Sequence, residues 1–70
     1  MDFLFLTPRE KQLLRRIARK LSDAEIAREI GGTTKQISDQ RLRLLDKLRI
    51  SSDAEVAEAA KQFAPWTKVP

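Results

Sequence analysis

The chain has no cysteine, no histidine and no tyrosine among its 70 residues, and its aromatics are three Phe and one Trp. Without cysteine it can form neither a disulfide nor a thiolate metal site. Without histidine the usual zinc sets and the His-based acid–base arrangements are excluded as well. No apolar run approaches the roughly 20 residues that span a bilayer. The short FLFL at Phe3–Leu6 has neither the basic leader nor the cleavage site of a signal peptide. These absences lead to the expectation of a cytoplasmic protein with no metal, no cofactor and no membrane partner. No nucleophile–base pair is visible, and the ten carboxylates find cheaper explanations as helix caps and ion pairs, so no enzyme is expected. At this length the chain makes a single domain over residues 1–70, near the lower limit for folding unaided.

What is present is positive charge, unevenly placed. The net charge is +4. Residues 1–20 carry six Lys/Arg against two acids, residues 21–50 six against five, and residues 51–70 two against three. A basic half joined to a near-neutral half points to one face turned toward a polyanion.

One local device recurs four times: Ser or Thr, two residues, then Glu or Gln. It occurs at Thr7–Glu10, Ser22–Glu25, Thr33–Gln36 and Ser52–Glu55. Each predicts a capping box, in which hydroxyl and acid or amide satisfy backbone N–H groups orphaned at a helix start. Pro8 falls at a first helical position, where its missing N–H does no harm. Apolar residues follow at helical spacing: Leu13, Leu14, Ile17, Ala18 and Leu21; Ala24, Ile26, Ala27 and Ile30; Ile37, Leu44, Leu45 and Leu48; Val56, Ala57, Ala60 and Phe63. Helices are therefore predicted over Pro8–Lys20, Asp23–Ile30, Thr34–Arg49 and Asp53–Ala64, an all-α, compact four-helix domain. Gly31-Gly32 breaks the second helix and Pro65 stops the last, leaving an irregular tail.

A brief second helix, a Gly-containing turn and a longer third helix have the layout of a helix-turn-helix. An ordinary αα-turn in a helical bundle fits that layout equally. The particular residues go further. LTPRE at Leu6–Glu10, LLRRIARKLSDAEIAREIG at Leu13–Gly31, TTKQI at Thr33–Ile37 and LLDKLRISSDAEV at Leu44–Val56 resemble the LuxR/GerE-type helix-turn-helix domain, without a gap over residues 6–60. The resemblance implies a DNA-binding domain of bacterial transcription regulators. Its third helix would enter the major groove of double-stranded DNA and its fourth would pair two chains as a homodimer. It also places the base-reading positions at Ser38, Asp39 and Leu42. Relatives usually carry a receiver or ligand-binding domain ahead of this module, whereas few residues precede LTPRE here. The chain is thus read as a stand-alone regulator or an excised domain.

The residue types at these positions are unusual. None offers the bidentate Arg–guanine contact. Ser38 can make a single hydrogen bond, Leu42 can pack on a thymine methyl, and Asp39 can accept from a cytosine amino group. Arg43 is spaced to pair with Asp39 and is the strongest remaining candidate for a base contact. Thr33, Thr34, Lys35 and Gln36, at the start of the helix, suit a phosphate, with Arg41 and Lys47 as further phosphate candidates. A second basic set lies on the first helix: Lys11, Arg15 and Arg19, with Gln12, Arg16 and Lys20 beside them. In a helix-turn-helix domain of this kind the helix before the motif is mostly scaffold, so this set would face an acidic partner as readily as the DNA backbone. On the Ala-rich fourth helix, Glu55, Glu58, Ala59 and Gln62 are the expected dimer contacts, while Ala57 and Ala60 pack the core. Phe3, Phe5, Phe63 and Trp66 would pack the two chain ends together. Asp39 and Leu42 keep a second function in view, a helix-turn-helix that binds a regulator or the transcription machinery instead of DNA.

Overall fold

A computed structural model describes residues 6–64. They form four helices, α1 (Pro8–Ala18), α2 (Asp23–Ile30), α3 (Thr34–Lys47) and α4 (Asp53–Phe63), and no strand occurs among the described residues. The all-α expectation is met, and so is the helix-turn-helix layout in α2 and α3.

Every helix starts on a side-chain cap. Thr7, Ser22 and Thr33 accept from the N–H three residues on, and Glu10, Glu25 and Gln36 accept the cap residue's own N–H. The fourth box is only half made. Ser52 accepts from the Glu55 N–H, but the Glu55 carboxylate turns to Ser51, which offers it an N–H at 2.8 Å and a hydroxyl at 3.1 Å.

The expected ends of α1 and α3 overrun the observed ones by two residues each. Lys20 (φ 65°) and Arg49 (φ 55°) adopt the left-handed conformation that ends a helix. The N–H groups of Lys20 and Leu21 bond to the Ile17 and Arg16 carbonyls, and those of Arg49 and Ile50 to the Asp46 and Leu45 carbonyls. Both ends are Schellman motifs built without glycine, fastened by Leu21 and Ile50 packing against the core. The break after α2 does use glycine. Gly31, at φ 91° and ψ 160°, lies in a region that other residues scarcely enter.

The core is Leu6, Leu13, Leu14, Ile17, Ile26, Ile37, Leu44, Val56, Ala59 and Ala64. α1 packs on each of the other three helices, and α2 packs closely on α3. Three expectations for small residues are corrected. Ala24 and Ala57 are exposed, whereas Ala59 is buried. In α4 the inward stripe is Val56, Ala59, Ala60 and Phe63, the i, i+3, i+4, i+7 set, which rotates Ala57 to solvent. Phe63 packs at the edge of the core; Phe3, Phe5 and Trp66, expected to join it, lie outside the described residues.

Candidate nucleic-acid interface

The basic residues divide by direction. On α1, Arg9 donates from its guanidinium to the Ile30 carbonyl, to the Gly31 carbonyl at 2.8 Å and to Gln40 Oε1 at 3.4 Å. One side chain thus satisfies the end of α2 and reaches across the turn to α3. Arg16 pairs with Glu29 of α2 at 2.8 Å. Arg15 donates to the Ala64 carbonyl at 3.0 Å, closing the end of α4. The expectation that Arg15 and Arg16 face an external anion is therefore corrected: internal partners hold both. Arg9 stands in LTPRE, but nothing local signals its role, because the carbonyls it binds lie more than twenty residues away in the chain.

Two of the expected phosphate ligands are likewise held inside the fold. Arg41 pairs with Asp23 of α2 at 3.2 Å, and Lys47 with Glu10 of α1 at 3.1 Å. Both sit on the flanks of α3, within reach of carboxylates on the helices beneath. Together with Arg9 they fix how α3 lies on α1 and α2.

The outer side of α3 presents Lys35, Asp39, Leu42, Arg43 and Asp46, with Ser38 half-buried between them. Asp39 is paired by Lys35, one turn back at 3.7 Å, and not by Arg43 as its spacing suggested. Arg43 is exposed beside Arg9, Glu10, Leu13 and Gln40, and has no ion pair among the described residues. Leu42 is 65% exposed, the most exposed large hydrophobic among the described residues.

The start of α3 differs chemically from the other three. α1, α2 and α4 each carry acid in the first turn, and α3 carries none. The three glutamates among them, Glu10, Glu25 and Glu55, are held below their ordinary value. Burial works to raise the Glu10 carboxyl, but hydrogen bonds from Thr7 and Lys47 and the Lys47 charge outweigh it and hold the group below its ordinary value. Hydrogen bonds from Ser22 lower Glu25, and hydrogen bonds from Ser51 lower Glu55. At α3 the neutral Gln36 makes the same box, so the positive end of the dipole keeps no carboxylate. Thr33 and Gln36 are occupied in that box, with Thr33 N–H donating to Gln36 Oε1 at 2.9 Å and Gln36 N–H to Thr33 Oγ1 at 3.1 Å. The exposed Thr34 and Lys35 that follow have no hydrogen bond to their N–H groups among the described residues. Gly32 packs closely against this end: a Cβ there would lie 3.1 Å from Gln36 Oε1 and 3.3 Å from Arg9 Nη2.

On α4 the expected dimer residues separate. Glu58 and Gln62 are exposed, Glu55 is exposed but bonded to Ser51, and Ala59 is buried in the core. The outward small residue is Ala57. No helix among the described residues is long and apolar enough to cross a membrane.

Comparison with known proteins places the chain in a family. The sequence model of GerE, described as bacterial regulatory proteins of the luxR family, matches residues 4–60. The transcriptional regulatory protein UhpA of Salmonella typhimurium strain LT2 is 38% identical over 61 residues, covering 87% of this chain and 30% of the relative. UhpA of Escherichia coli strain K12 is 36% identical over the same length and shares. The chain thus spans less than a third of the curated relatives it matches. No solved structure matches it significantly.

Proposed function

The chain belongs to the luxR family of bacterial regulatory proteins, and we propose that it binds double-stranded DNA as a cytoplasmic transcription regulator, or as the DNA-binding domain of one. α3 lies in the major groove. The observation that carries this reading is the third helix itself: propped by Arg9, Arg41 and Lys47, it turns outward a start without acid and a polar side. A phosphate at that start meets the Thr34 and Lys35 N–H groups, the Thr34 hydroxyl and the Lys35 ammonium. The Thr33 hydroxyl and the Gln36 amide NH2 border the same spot. Ser38, Asp39, Leu42 and Arg43 then face base edges. Two chains pair through the outer side of α4, with Glu58, Gln62 and Ala57 at the contact, so that two third helices reach half-sites about one helical turn apart.

The test is binding to random duplex DNA across a salt series. With about three phosphate contacts per chain, affinity falls by about 40-fold between 50 and 200 mM salt for a monomer and by roughly 10³-fold for a dimer. Absence of binding at low salt overturns the reading.

One observation favours a second reading, a module that docks on a protein. Lys35 and Arg43 are balanced on the outer side of α3 by Asp39 and Asp46, so this side is neutral overall. A protein-docking module would show affinity for a regulator or for the transcription machinery, and none for duplex DNA at any salt concentration.

A further inference from the structure

Leu42 is out of place on a solvated helix face. It is 65% exposed, its neighbours one turn away are Ser38, Asp39, Asp46 and the half-buried Leu45, and it contributes nothing to the core. Resting on the reading of α3 as a major-groove helix, we infer that Leu42 selects thymine by packing on its C5-methyl group.

The chemistry of the groove leaves little else for it. Guanine and adenine present N7 acceptors there, cytosine an amino donor, and adenine an amino donor as well. An isobutyl group pressed against any of these strips water from a polar atom and returns no hydrogen bond, which is unfavourable. Thymine alone presents an apolar group, so Leu42 is attracted to one base and penalised by the others. Its neighbours do not compete for that contact. Asp39 and Ser38 offer polar groups, which suit hydrogen-bonding base edges and not a methyl, and Ser38 is half-buried at the side. Because Leu42 bears no load in the core, its identity is free to be set by the DNA it meets.

The probe is duplex DNA selected from a random pool by the wild-type protein, with each thymine replaced in turn by deoxyuridine, which removes the methyl and nothing else. At one thymine per half-site the replacement weakens binding about fourfold, the value of one buried methyl. In Leu42→Ala the same replacement has no effect, and the exposed position ensures that this variant folds. Placing cytosine at that position weakens binding, and 5-methylcytosine recovers about the same fourfold factor relative to cytosine. If duplex DNA binds but no thymine shows the effect, the inference is overturned while the DNA-binding reading stands. A uracil penalty that survives in Leu42→Ala overturns it too, since another residue then reads the methyl. If no duplex binds at low salt, the DNA-binding reading itself has failed.

Discussion

α1 and α3 carry the same number of basic residues, four each, but divide them differently between the fold and the surface. On α1, Arg9, Arg15 and Arg16 all turn inward, onto the α2 end, the α4 end and Glu29. On α3, Arg41 and Lys47 brace the helix from its flanks, while Lys35 and Arg43 stay on the outer side. A count of charge therefore says little about where an anion binds. In the more basic half of the sequence Arg9, Arg15 and Arg16 serve the scaffold while Lys11, Arg19 and Lys20 are exposed, and the proposed DNA surface lies on the near-neutral segment.

The leucines make the same division and give the largest expected effect. Leu14 of α1 is fully buried and Leu42 of α3 is exposed. Leu14→Ala lowers stability by roughly 2–5 kcal/mol, through lost burial and the cavity left behind. Leu42→Ala changes stability by less than about 0.5 kcal/mol. Urea unfolding of the two variants checks both, and equal losses would break the division.

The arginines come next. Arg9→Ala removes a charged donor from two carbonyls and from Gln40 and lowers stability by about 1.5–3 kcal/mol. Lys11→Ala, an exposed residue of the same helix, stays within about 0.5 kcal/mol. The urea midpoints of the two variants measure the contrast.

A pH titration distinguishes the two helix starts. Glu10 closes α1 with a carboxyl held below its ordinary value of 4.5, and Gln36 closes α3 with an amide that does not titrate. The Glu10 contribution is complete above the unfolded value and is lost as pH falls through the lower folded value. Stability followed between pH 7 and pH 3 therefore declines less steeply in Glu10→Gln than in the wild type, whereas Gln36→Glu steepens the decline.

The helix starts were legible in the sequence because capping is local: Ser or Thr and its acid or amide stand three residues apart. Even there the Glu55 carboxylate chose Ser51, a competing donor one residue earlier. The ends of α1 and α3 were not legible, since Lys20 and Arg49 carry no mark of a left-handed residue. Alanines give a weak amphipathic signal, so the rotation of α4 was misjudged and Ala57 and Ala59 exchanged places. The directions of Arg15, Arg16, Arg41 and Lys47 were hidden for a different reason. Their partners lie 13 to 49 residues away, and only the packing of helices brings them within reach. Leu42 was recognisable from the family resemblance, which put it at a base-reading position.

The smallest effect concerns a feature α1 and α3 share. Lys20→Gly and Arg49→Gly relieve the left-handed strain and raise stability by up to about 1 kcal/mol each, partly offset by the freer unfolded chain. Thermal melts of the two variants measure it, and a gain at one site only would separate ends that look alike.

The most direct test of the division between scaffold and surface is the salt dependence of duplex DNA binding in Lys35→Ala and Lys11→Ala. Lys35→Ala weakens binding to all sequences alike and reduces the slope of log affinity against log salt by about one per chain, while Lys11→Ala leaves the slope unchanged. A slope that falls in Lys11→Ala and holds in Lys35→Ala would contradict the account and move the DNA to the α1 side.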